Sequence, residues 1–228
     1  LLIVWTQIGL VESHPAEHRL LLAVKPLAAT YWRMFFNREF QLLAAIPGIN
    51  FVGFFTYIAG APAFLMRHLG LRNTDFAALF IPGIAGITLA AWCSGRLAGR
   101  VSHQRQMRWG FSVMIGAALA NLAVSLWLPA GVLWNIAPIA IYTFGMALVT
   151  PCITLKLLDA FAHARGSVSA LQSSTHVAMM ALTTAVIVPF AQQSLQRFAA
   201  VMLASVLIGT LLWKIYLATH PPAPTPAT

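Results

Sequence analysis

Between positions 169 and 183, Ser169, Gln172, Ser173, His176, Met180 and Thr183 form a stripe within an uncharged run. At 3.6 residues per turn they project within about 100° of arc on a helix. Hydroxyl, amide and imidazole groups on one face can hydrogen-bond a guest. The imidazole titrates near neutral pH, so His176 can carry or sense a proton. The plainer alternative is a neutral histidine bonded to a neighbouring helix. Two more groups have the character of a pocket wall. Asn50, Phe54 and Tyr57 recur at i, i+4 and i+7, and Tyr142 and Met146 at i and i+4. Aromatic and thioether side chains adapt to flat apolar guests, and an amide orients them. Ordinary helix packing gives the same spacing. No HExxH, GxSxG or paired-carboxylate arrangement accompanies these residues, which argues against an enzyme. Cys93 and Cys152 show no CxxC or Cys/His ligand spacing, so neither metal nor disulfide is supported and no cofactor is expected.

The elements that must position these residues follow from composition. Of 228 residues, 59% are hydrophobic and 8% charged, against about 25% charged in a soluble domain. A larger core cannot absorb that deficit, because a chain of this size still needs a polar skin. The sequence reads as an all-α membrane protein with six spans: Phe40–Met66, Phe76–Gly95, Gly110–Leu128, Val132–Leu155, Val168–Phe190 and Phe198–Leu217. Each is close to the roughly 20 residues a bilayer crossing needs. Residues 1–11 read as the end of a truncated helix and 12–39 as an interfacial cytoplasmic linker. Residues 40–217 form the six-helix bundle, and 218–228 a disordered proline-rich tail.

The formal net charge is +9. The bases are scattered among short turns and form no basic-aromatic groove, so nucleic acid is not the expected partner. With six crossings, every Lys and Arg except Arg67, Arg72 and Arg197 falls on one side. The excess of bases marks that side as cytoplasmic, C-terminus included. The densest cluster is the turn from Trp92 to Gly110, which holds Arg96, Arg100, Arg105 and Arg108. Gly95 and Gly99 are expected to let two helix ends approach closely there. Three small-residue stripes are expected at helix contacts: Gly83, Gly86 and Ala90; Ser112, Gly116 and Ala120; Ser205 and Gly209. Thr74 is a candidate cap for the second span, and Asp159 a candidate partner for Lys156.

Gly95-Arg-Leu-Ala-Gly-Arg100 resembles the degenerate second copy of a loop motif, G-x-L-A-D-R-x-G-R-R, of the major facilitator superfamily. Gly95, Leu97, Ala98 and Arg100 fit it; Gly99, Ser102 and His103-Gln104 depart from it. Phe51-Val-Gly-Phe-Phe-Thr-Tyr-Ile-Ala-Gly-Ala-Pro62 is similar to the seventh span of Bcr/CflA-type multidrug resistance transporters. Gly145-Met-Ala-Leu-Val-Thr-Pro151 and Gly166-Ser-Val-Ser-Ala-Leu171 are similar to their tenth and eleventh. The resemblance implies the C-terminal half of a twelve-span transporter, in which two halves rock about a central cavity. Its partners would be the N-terminal six-helix half, membrane lipid, a small lipophilic substrate and a proton, in a bacterial inner membrane. The helices matching the first, second, fourth and fifth spans would line the cavity. No span carries a mid-membrane Asp or Glu, so the family's key acids are expected in the other half. Two alternatives stay open. One is a metabolite transporter of the same superfamily; the other is a self-contained six-span protein acting as a dimer.

Overall fold

The computed structural model describes residues 24–220, all helix and connecting turns. The expectations for residues 1–11, for the first part of the linker and for the tail from Pro221 onward lie outside the described residues. A short helix, α1 (Val24–Phe35), leads into six helices long and apolar enough to cross a membrane. These are α2 (Arg38–Ala59), α3 (Ala77–Leu97), α4 (His103–Trp127), α5 (Val132–Ala160), α6 (Arg165–Ala191) and α7 (Leu195–Thr219). The expected all-α, six-span class is what the chain forms.

Local sequence sets where the helices begin. The Asn37 side chain accepts from the amides of Glu39 and Phe40 at 2.9 and 3.1 Å and starts α2. Ser102 and Ser194 accept from Arg105 and Arg197 at 3.4 and 3.2 Å and start α4 and α7. Each cap satisfies an amide that has no partner within its helix. Thr74 does not cap α3: its hydroxyl turns to Asp75, whose carboxylate takes the Arg72 amide instead. α2 loses α-helical bonding at Gly60-Ala-Pro62, where a π-helical segment, Pro62–His68, carries the chain on. Several spans run past their apolar cores. α4 starts at His103 rather than Gly110, which leaves the basic turn only a few residues long. Charged residues can stay helical beyond the hydrocarbon because each helix satisfies its own backbone.

α5 is the hub, packed along α3 and α4 and also against α2, while α7 packs on α2 and α4. The contacts are close because glycines sit at them. A Cβ on Gly86 would strike the Ala140 carbonyl and Thr143, and one on Gly110 would strike Val149 and the Gly145 carbonyl. Gly209 abuts the Asn50 side chain. Two of the expected small-residue stripes are thus helix contacts. The third is not: Ser112, Gly116 and Ala120 are exposed and Gly116 has open space before it. α4 uses Gly110 on another face. Gly95 and Gly99 also meet nothing nearby among the described residues, so no close approach within them explains these glycines. Gly99 instead has φ +75°, a backbone state that L side chains resist. The Lys156–Asp159 pair does not form. Asp159 pairs with Arg165 at 3.3 Å, and Lys156 lies 6.0 Å above the Tyr216 ring.

Candidate functional site

A polar cleft of about 350 Å³ opens where α6 leans on α2 and α5. It is lined by Pro47 from α2, Thr150 and Thr154 from α5, and Gln172, Ser173, His176 and Val177 from α6. The periodicity of α6 puts Gln172, Ser173 and His176 on one face, and α6 rests on its neighbours so lightly that this face stays open. Only 17% of its apolar stretch is buried, the lowest share among the six spans.

The geometry within the cleft is specific. The Gln172 amide donates to the Thr154 hydroxyl at 3.2 Å and ties α6 to α5. Thr150 donates to the Met146 carbonyl at 2.9 Å and keeps its oxygen lone pairs free to accept. The His176 ring lies 4.8 Å from Phe51, tilted by 57°. Among the described residues its nitrogens have no hydrogen-bond partner, so they stay available. Among the described residues no carboxylate or cationic side chain lines the cleft. Neutral donors and acceptors beside aromatic and aliphatic surface suit an apolar guest with one or two polar atoms.

Of the sequence-predicted site residues, Gln172 and His176 meet here. Asn50, Phe54, Tyr57, Tyr142 and Met146 do not line this cleft; all five are buried in the bundle. Phe54 packs on Gly83 of α3. Tyr57 accepts from the Asn121 amide at 2.6 Å and clusters with Phe64 and Phe198. The Tyr142 hydroxyl donates to the Asn50 carbonyl at 2.8 Å. Asn50 is 1% exposed, and among the described residues neither its amide oxygen nor its amide nitrogen has a hydrogen-bond partner. α2 is apolar on two faces, and the one bearing Pro47 and Phe51 meets α6. Sequence reasoning missed Phe51, Thr150 and Thr154. The two threonines stand at i, i+4 in an apolar span, a signal available in the sequence. The motif residues lie elsewhere, at the basic turn. The Leu97 carbonyl accepts from the Arg100 and Val101 amides at 3.0 and 3.1 Å, and Gly95, Ala98 and Arg100 are exposed.

Comparison with known proteins places this architecture. The sequence profile of the Major Facilitator Superfamily matches residues 2–184. The multidrug transporter MdfA of Edwardsiella ictaluri (strain 93-146) is 26% identical over 149 residues, 65% of this chain and 36% of that protein. The multidrug transporter protein MdtP of Bacillus subtilis (strain 168) is 28% identical over 154 residues, 68% of this chain and 27% of that protein. MdfA of Yersinia pestis bv. Antiqua (strain Angola) is 25% identical over 179 residues, 77% of this chain and 43% of that protein. The chain spans under half the length of these curated relatives. Six apolar helices and a family match over most of the sequence lead to one conclusion: the chain is a multi-pass membrane protein and belongs to the major facilitator superfamily.

Proposed function

We propose that this chain forms the C-terminal six-span half of a proton-coupled exporter of lipophilic compounds, working by alternating access in a bacterial inner membrane. The observation that carries the reading is the cleft of Thr150, Thr154, Gln172, Ser173 and His176 on the flank of α6. Polar groups on a membrane helix are costly against lipid, so they belong against protein or a water-filled cavity. A second six-helix half seated beside α6 would close the cleft into such a cavity. The relatives, named as multidrug transporters, support drugs as the substrate class. On this reading Gln172 and His176 contact the guest. Asn50, Phe54, Tyr57, Tyr142 and Met146 join them only if rocking of the halves shifts α2 against α5 and α7. The Arg96–Arg108 turn and the C-terminus face the cytoplasm under the positive-inside rule. Exposed Trp32 and Phe35 on α1, with Phe36 in the turn that follows, suit a helix at headgroup depth.

A resistance assay on the full-length gene across several lipophilic drugs, with and without a protonophore, tests the proposal. Resistance that collapses with the protonophore is expected. His176→Ala is expected to lower resistance to at least one drug at unchanged protein level. Resistance indifferent to both interventions would refute the reading.

A further inference from the structure

An apolar recess lies further along α6 from the polar cleft, on the side towards α7 rather than α5. It is a groove of about 440 Å³ between α2, α6 and α7. α7 contributes Val201, Ala204, Ser205 and Ile208, and α6 contributes a wall running from Met179 to Phe190. The wall includes the π-helical turn Thr183–Ile187, which widens α6 locally. Both hydroxyls on the lining are satisfied within their own helices: Thr183 donates to the Met179 carbonyl at 2.7 Å and Ser205 to the Val201 carbonyl at 2.8 Å. What faces the groove is hydrocarbon. Its outer margin carries one cation. Arg197 stands one turn before Val201 on the same α7 stripe, and its guanidinium lies 4.7 Å over the ring of Phe190. It donates to the Gln193 side chain. Among the described residues no carboxylate pairs with it, so further donors of its fork remain free.

An apolar slot ending at an arginine without a carboxylate partner is complementary to an amphiphile with an anionic head. We propose that this groove is a binding site for an anionic phospholipid, with an acyl chain along α6 and α7 and its phosphate on Arg197. The site stands apart from the transport cleft and does not depend on what the cleft binds.

The test is native mass spectrometry of the full-length protein released from nanodiscs of phosphatidylcholine doped with phosphatidylglycerol. The wild type should retain one phosphatidylglycerol in preference to phosphatidylcholine. Arg197→Gln should reduce that preference about fivefold, the worth of one cation near an anionic headgroup, and Arg197→Lys should keep most of it. Ala204→Trp points a ring into the groove from an exposed position and should lower retention of both lipids. Three results would overturn the proposal. They are an unchanged preference in Arg197→Gln, unchanged retention in Ala204→Trp, and displacement of the bound lipid by a lipophilic cation, which would make the groove a drug site.

Discussion

α5 and α6 are neighbours of similar length with opposite fates. Of the apolar stretch of α5, 61% is buried, against 17% for α6. Both carry polar side chains in the membrane zone, and the use they make of them differs. On α5 the Tyr142 and Thr143 hydroxyls reach the carbonyls of Asn50 and Gly83 on adjoining helices. These bonds cross-link the bundle at fully buried positions, although the Thr143 hydroxyl also reaches its own helix at the Ala140 carbonyl. On α6 the Ser174 and Thr175 hydroxyls turn back to their own helix, at Ala170 and Leu171. His176 keeps its nitrogens free among the described residues. Polarity in a span therefore says little by itself. Full burial between helices, as against a place on an open cleft, separates the two uses.

Substitutions can break or sharpen that contrast. The largest effect is expected at the α4–α5 contact. Gly110→Leu has no room beside Val149 and Gly145 and should cost about 3 kcal/mol, read as a lower unfolding midpoint in detergent. Asn50→Leu should act in the opposite sense. Its buried amide has no partner among the described residues, and a branched apolar side chain of similar shape removes an unmet desolvation cost. A gain of about 1 kcal/mol is expected, seen as a raised midpoint. If the same variant loses transport, Asn50 serves function at the expense of stability. The smallest stability effect belongs to α6. Gln172→Ala loses only the bond to Thr154, about 0.6 kcal/mol in a membrane setting, yet should impair export of drugs that carry a hydrogen-bonding group.

Most of the fold is legible in the sequence because a bilayer imposes a length and a polarity rule that Phe40–Leu217 obeys six times. The ends are less legible. His103–Arg108 stays helical although charged, since nothing in composition separates a charged helix end from a charged turn. The polar face of α6 could be found because Ser169, Gln172, Ser173, His176 and Thr183 recur at helical spacing in an uncharged run. The face of α2 could not. Asn50, Phe54 and Tyr57 look like a pocket wall, and Pro47 with Phe51 looks like packing, yet the first three are buried in the bundle while Pro47 lines the cleft and Phe51 meets His176. With apolar side chains on both faces, only the position of α6 decides. The Ser112–Gly116–Ala120 stripe misleads for a related reason. Small residues permit close approach without requiring it, and α4 makes its contact at Gly110.

The account turns on the α6 face being a guest-facing wall. Cysteine accessibility tests this most directly, in full-length protein whose Cys93 and Cys152 are replaced by alanine. Ser173→Cys is expected to react with a membrane-impermeant maleimide and to be protected by a lipophilic drug that the protein exports, while Thr143→Cys on the buried face of α5 stays unreactive. A Ser173→Cys thiol that no aqueous reagent reaches, or one that drug leaves unprotected, would contradict the account.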